Sequence, residues 1–242
     1  MAAVLCAPKV PHGGGIFVAL ATVLICPISL AANTVIISVT GSPGLSTLID
    51  YSSVVASSVV ATSWSESESY SGVTISILVN SAIVGQTPSA DAFLTTSIGP
   101  GTTVIDEVAS TQFTVPLQLP VCSQYSCGAD VTLFSGLNLG PGTYFLTLAP
   151  DDTSSGEVGW FPAMDPTVLE NPGVIEGTAF FDTSVASYPP AGSFVANDFA
   201  MDFTVTGTAV APVPEPATVT PLVGLGALFL LLTTPSHSRK VR

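Results

Sequence analysis

Apolar residues in this chain recur most clearly at every second position. In "GVTISILV", residues 72–79, Val73, Ile75, Ile77 and Val79 fall on one face, with Thr74 and Ser76 on the other. A period of two is the signature of a half-buried strand. "TVIISVT", residues 34–40, is β-branched and is closed by Gly41-Ser42-Pro43-Gly44. "AFLTTSI", residues 92–98, stops at Gly99-Pro100-Gly101. "TQFTVPLQL", residues 111–119, contains Pro116, which cannot donate to a ladder and so places this segment at an edge or a bulge. "VTLFSGL" (131–137) and "TYFLTLA" (143–149) flank Gly140-Pro141-Gly142, and "VIEGTAFF" (174–181) and "FAMDFTVTGTAV" (199–210) close the series. Residues 45–62 lack a clean period; the Val and Ser content of "VVASSVVA" favours strand there. About ten strands without an amphipathic helix predict an all-β fold, an antiparallel β-sandwich of jelly-roll type, over residues 32–208.

Charge sharpens this picture. The only Lys and Arg residues are Lys9, Arg239, Lys240 and Arg242, and the two His, His12 and His237, are also terminal. Sixteen of the seventeen acids lie between Asp50 and Asp202. A body without a cation cannot neutralise phosphates, so nucleic acid is excluded as a partner. An anionic membrane surface is disfavoured for the same reason.

The two ends read as processing segments. "IFVALATVLICPISLAA" has an apolar core, Ile16 to Ile25, too short to span a bilayer, followed by the small-x-small pair Ser29 and Ala31. This layout predicts a signal peptide, with its helix, over residues 1–31 and a mature N-terminus at Ala32 or Asn33. Residues 209–218 form a Pro-rich spacer, 219–234 an apolar helix, and 235–242 a basic tail. At 1.5 Å per residue the apolar run makes a helix about 24 Å long, against a hydrocarbon core of about 30 Å. The run is therefore a marginal transmembrane helix but an adequate transient stop. The basic end would stay on the cytoplasmic side.

This tail carries a resemblance. Val213-Pro214-Glu215-Pro216-Ala217-Thr218, then a Gly/Leu-rich run, then Arg239, Lys240 and Arg242, resembles the PEP-CTERM sorting signal of Gram-negative bacteria. The insertion "TTPSHS" before the basic residues is longer than is usual there. The resemblance implies processing by an exosortase, a membrane-embedded cysteine protease/transpeptidase. It also implies membrane retention through the C-terminal helix before processing, and export to the cell envelope, cell surface or extracellular polysaccharide matrix of a biofilm. "SWSESESYSGVTISILV" (63–79) and "LFSGLNLGPGTYFLTLA" (133–149) resemble a recurrent ectodomain of such proteins, which implies a secreted β-sandwich and no known reaction.

Candidate chemistry is sparse. The exported body has no His and no Lys to act as a base near neutral pH, which removes the usual Ser-His-Asp and Cys-His mechanisms and any His-ligated metal. Glu66, Glu68, Asp106, Glu107, Glu157, Glu170 and Glu176 could supply the two carboxyls of a glycoside hydrolase, but surface acids in this number form such pairs by chance. Asp151, Asp152 and Glu157 in "APDDTSSGE" are candidate calcium ligands; a polar hairpin turn is the competing reading. Cys122 and Cys127 are the only cysteines left after the leader, and an oxidising location makes them a disulfide closing "CSQYSC". Trp64, Tyr70 and Trp160, with Phe161 and Tyr188, lie near Ser/Gly/Pro-rich stretches and are candidates for stacking on sugar rings, against a role in core packing. No cofactor, metal or catalytic residue is expected. The reading is a non-enzymatic, exported structural or adhesive protein. A carbohydrate-binding module of the polysaccharide matrix is the alternative, and an extracellular glycoside hydrolase the third.

Overall fold

The computed structural model of the chain describes residues 32–41, 59–81, 85–117, 128–151, 158–182 and 187–211. All belong to one compact unit, Ala31–Arg242. The strands, in chain order, are β1 (Thr34–Thr40), β2 (Val59–Glu66), β3 (Tyr70–Ser81), β4 (Ser89–Thr95), β5 (Glu107–Thr114), β6 (Ala129–Leu139), β7 (Gly142–Pro150), β8 (Val158–Trp160), β9 (Pro162–Ala163), β10 (Thr167–Glu170), β11 (Val174–Glu176), β12 (Ala179–Asp182), β13 (Val195–Asn197), β14 (Ala200–Met201) and β15 (Phe203–Ala209). Among the described residues the only helical turns are of 3₁₀ type, Val104–Asp106 and Pro189–Ala191.

Two antiparallel sheets carry the fold. The first has the order β10-β1-β15-β3-β6, with β8 also on β3; the second has β13-β12-β2-β7-β4-β5, with β11 also on β2. Eight strands have seven residues or more. They run β1-β15-β3-β6 in one sheet and β2-β7-β4-β5 in the other. Apart from the β4–β5 hairpin and the short strands, the chain therefore crosses repeatedly from one sheet to the other. The fold is all-β and antiparallel, as the period-two pattern predicts.

The inner faces of both sheets meet in one core. Val73, Ile75, Ile77 and Val79 are all buried, as their spacing requires. Trp64 of β2 bridges the sheets: its ring lies 5.7 Å from Tyr144 of β7 in its own sheet and 5.7 Å from Phe203 of β15 in the other. Tyr144 sits just past the corner where β6 of the first sheet becomes β7 of the second, and its hydroxyl donates to Gly140 O at 2.7 Å. A tyrosine bonded to backbone a few residues upstream, at a change of sheet, pins that corner. The outer face of the first sheet carries a row of hydroxyls that runs from β6 to β1 and meets the exposed Leu169 of β10 opposite Ser38. Ser38, Thr204, Ser76 and Thr132 stand in one row across β1, β15, β3 and β6. Their hydroxyls pair at 2.9 Å (Ser38–Thr204) and 3.1 Å (Ser76–Thr132).

Departures from the sequence expectation have local causes. "TVIISVT" is β1 residue for residue. The strand expected at 111–119 lies earlier and ends at Thr114; Val115 N–H still bonds Pro88 O, and Pro116 then has no donor to continue the ladder. "VIEGTAFF" divides into β11 and β12 at Gly177, whose N–H bonds Ser63 O and whose place leaves no room for a Cβ. Asp202 separates β14 from β15 because its N–H is taken by Phe161 O. β15 runs one residue into the expected spacer. The signal segment, the spacer's PEP motif, the apolar helix and the basic tail lie outside the described residues. Among the described residues no helix is long and apolar enough to cross a membrane.

The inter-sheet contact yields a graded expectation. Trp64→Ala leaves a large void between the sheets and lowers stability by about 3–5 kcal/mol. Tyr144→Phe keeps the ring, loses only the corner bond and costs about 1 kcal/mol. Urea melts of the two variants read the difference directly. Equal losses would show that Trp64 does not bridge the sheets.

Candidate functional site

The three aromatics singled out for sugar stacking do not form a surface. Trp64, Tyr70 and Trp160 are at most 1% exposed, and Phe161 is buried as well. This corrects the stacking expectation, since a ring enclosed in the core presents no face to a ligand. The Ser-rich flanks of Trp64 belong to a strand, and Trp64 occupies one of its inward positions. Each polar tip is satisfied internally. Trp160 Nε1 donates to Asp202 O at 2.7 Å, Trp64 Nε1 to Glu66 Oε2 at 3.4 Å, and Asn171 Nδ2 to the Tyr70 hydroxyl at 3.1 Å.

Of the candidate acids, Glu66 and Glu176 share one face of the β2–β11 pair, with Val174 opposite Glu66 and Glu176 opposite Trp64. Glu66 ends β2 and is buried. Glu170 and Glu176 face each other across the β10–β11 turn, where Glu170 Oε1 accepts from Glu176 N–H at 2.6 Å. Burial, then the charge of Glu170, raises the Glu176 carboxyl above its ordinary value. Asp106 caps the 3₁₀ turn before β5 by accepting from Thr103 N–H at 2.8 Å, and Glu107 accepts from the Tyr188 hydroxyl at 2.9 Å. Of the calcium candidates, Asp151 accepts from Gln112 Nε2 at 2.8 Å, while Asp152 and Glu157 lie outside the described residues, as do Cys122 and Cys127. Among the described residues no three His, Cys, Asp or Glu side chains are grouped to hold a metal ion.

The structure brings a different set together on the outer face of the second sheet. Direct cross-strand partners share a face. Ser110, Phe93, Thr147, Ala61, Phe180 and Ala196 form one such row across β5, β4, β7, β2, β12 and β13. The adjoining row holds Thr95, Phe145 and Ser63. Two aromatic groups result. Phe93 meets Tyr188 edge-on at 5.6 Å, and Phe145 meets Phe180 at 6.1 Å. Between them the floor is made of small residues, Ala61, Thr147 and Ala149. The segment 187–192 packs against this face: its 3₁₀ turn touches β7, Tyr188 reaches Glu107, and Pro190 O accepts from Gly99 N–H at 2.8 Å. Thr147 is wholly buried and its hydroxyl has no hydrogen-bond partner. Phe145 and Phe180, beyond the segment, are partly buried. One row further along, Ser65 pairs with Thr143 at 2.8 Å, and Ile175 of β11 stands opposite Ser65 with 67% of its surface in water.

Sequence reasoning passed over Phe93, Phe145 and Phe180, although a signal existed. Each sits at the outward phase of its strand, where Asp91, Thr143 and Thr147 are polar. A large aromatic at a polar-phase position is the anomaly to look for.

A second feature lies inside. Glu66 Oε1 is enclosed without a partner, and Glu66 Oε2 has only the long indole bond. Burial pushes this carboxyl up to about 7 against an ordinary 4.5. Burial, and then Glu66 itself, raises the Tyr144 phenol. Asp202 is pushed up to about 6, mainly by burial, with Gly41 N–H opposing the shift and Asp130 adding to it. Comparison with known protein families, with characterised proteins and with solved structures finds no match for this chain.

The buried acids set a pH dependence. Folding raises the Glu66 carboxyl, so its unfolded form releases a proton first as pH rises. Stability is complete below the ordinary value of 4.5, falls as pH climbs toward about 7, and is constant beyond it. At about 1.4 kcal/mol per pH unit the loss is on the order of 3 kcal/mol. Asp202 adds a loss of the same sign between 3.8 and about 6. Glu66→Gln, uncharged throughout, is expected to flatten the upper part of this curve. Urea melts across the acid-to-neutral range test it, and an unchanged slope in the variant would show that Glu66 is not the titrating group.

Proposed function

We propose that the chain is an exported, non-enzymatic protein of the cell envelope, cell surface or extracellular matrix, with a structural or adhesive role, built as a jelly-roll β-sandwich and sorted by its tail. The observation that carries this reading is the order of three elements at the chain end. Pro214-Glu215-Pro216, the apolar run 219–234, and Arg239, Lys240 and Arg242 follow one another after a body without a single cation. An exosortase is the partner that would read them.

The fold is consistent with such a role. The strand order β1-β15-β3-β6 over β2-β7-β4-β5 is what two Greek keys produce in a jelly roll. Among the described residues the last long strand, β15, ends at Ala209, ahead of the PEP motif, which supports release of the body from the tail.

Replacing Pro214-Glu215-Pro216 by three alanines is expected to block processing and leave the chain in the inner membrane. Truncation after Pro212 is expected to release a soluble folded body. Fractionation and mass measurement in a host that encodes an exosortase decide the matter. Identical mass and location for wild type and the triple-alanine chain would overturn sorting by this motif.

A further inference from the structure

We propose that the chain cuts itself at one peptide bond, Asp165–Pro166, by attack of the Asp165 carboxylate on its own backbone carbonyl. Two separate features meet at this bond. Asp165–Pro166 is the only Asp-Pro pair in the sequence. Asp165 is also, among the described residues, the only residue other than glycine with a positive φ, at 48°.

The residue types fix the chemistry. Proline makes the bond a tertiary amide, whose nitrogen is a better leaving group than that of an ordinary peptide once it is protonated. Proline also lacks an N–H, so the following nitrogen cannot close a ring on the aspartyl side chain. The side-chain oxygen can instead attack the carbonyl carbon of Asp165 and close a cyclic anhydride. As the bond from that carbon to Pro166 N breaks, its electron pair goes to the nitrogen, which takes a proton from solvent. Water then opens the anhydride. Asp165 ends with a free α-carboxylate beside its side-chain carboxylate, and Pro166 becomes a new N-terminus. One water is consumed, and no oxidant or reductant is needed.

The fold loads this bond. A left-handed backbone is unfavourable for a residue with a Cβ, and the ring of a following proline restricts the residue before it further. Both ends of the link are fixed. Pro162 and Ala163 of β9 pair with Met201 and Ala200 of β14, and Thr167 of β10 pairs with Thr40 of β1. Between these ladders the chain passes close over the end of β1, where a Cβ on Gly41 would stand 2.5 Å from Ala163 Cα and from Met164 N. Met164, Asp165 and Pro166 must turn from one ladder to the other in this short span, and the turn falls on Asp165. Strain that the surrounding structure holds in place is an outlier from which function can be inferred. Breaking the bond frees Asp165 and leaves both ladders intact. Asp165 and Pro166 are exposed, so water and protons reach the site. The two pieces would stay together, because β15 lies between β1 and β3 while β11 and β12 both pair with β2. Cleavage would thus separate the tail-bearing half from β1 to β9 in covalent terms alone.

The test is incubation of the full-length chain in detergent and mildly acidic buffer, where the buried acids leave the fold most stable. Denaturing gels and mass measurement follow the products. One fragment should end at Asp165 and the other begin at Pro166. The folded chain should be cut about tenfold faster or more than the same chain unfolded in urea, the ratio supplied by one left-handed residue released on cleavage. Asp165→Asn tolerates the left-handed region but has no carboxylate, and should stay intact over the same period. Pro166→Ala keeps the carboxylate and restores an ordinary peptide nitrogen, and should also stay intact. Three results would overturn the proposal: no cleavage of the folded chain, cleavage as fast or faster in urea, or undiminished cleavage in Asp165→Asn. The comparison of folded with unfolded wild type requires no variant to fold, so it decides the matter even if a substitution disturbs the turn. It is also independent of sorting, so a failure of tail processing leaves this result standing, and the reverse holds.

Discussion

The domain has to hold its carboxylates without any positive charge of its own. Between residues 32 and 212 there is no Lys, Arg or His, so no buried acid can be neutralised by an ion pair. Every acid must lie in water, find a neutral donor, or keep its proton. The structure uses all three solutions. Asp106 is held by Thr103 N–H, Glu170 by Glu176 N–H and Glu107 by the Tyr188 hydroxyl. Asp202 takes Gly41 N–H at 3.3 Å, and burial still keeps its carboxyl well above the usual range. Glu66, with one weak indole bond, is raised by burial to about 7 and so keeps its proton through the acid range and in part at neutral pH. Much of the turn and corner geometry follows from this shortage of donors, because backbone N–H groups at strand breaks are the donors within reach.

The two outer faces of the sandwich differ for a related reason. The first sheet shows water a row of Ser and Thr hydroxyls that bond one another across strands, an uncharged way to keep a sheet face wet. The second sheet places Phe93, Phe145 and Phe180 on its outer side and covers part of them with the segment 187–192. A sheet whose outward phase were wholly polar would need no such cover.

Much of this was legible in the sequence. The inward phase of β3 and the whole of β1 follow from the spacing of β-branched residues, because alternate burial leaves no other pattern. The Gly140-Pro141-Gly142 corner was equally plain. The short strands β8, β9, β10 and β13 were not legible. Each is four residues or fewer, and its pairing depends on a distant partner, as Trp160 depends on Val79. The candidate site failed at one step. Trp64 and Trp160 were assigned from their polar neighbours; residues 45–62 have no clean period, and it is the fold of β2 that places Trp64 with Val60 and Thr62 on the inner side. A phase argument, applied to "AFLTTSI" and "TYFLTLA", puts Phe93 and Phe145 outside.

Glu66 connects the core to the charge constraint. Its carboxyl lies on the inward side of β2 beside Trp64, whose ring joins the two sheets, and its proximity raises the Tyr144 phenol that pins the β6–β7 corner. An apolar residue there would pack without a titration, and an exposed acid would titrate without affecting the core. A buried acid with one partnerless oxygen does neither. In its protonated form it is a neutral group that can donate as well as accept. When ionised it places a charge against the inter-sheet contact, with no cation in the domain to balance it. The packing of the two sheets is therefore tied to the proton occupancy of a single side chain, and the composition that keeps the surface free of cations is what makes that tie unavoidable.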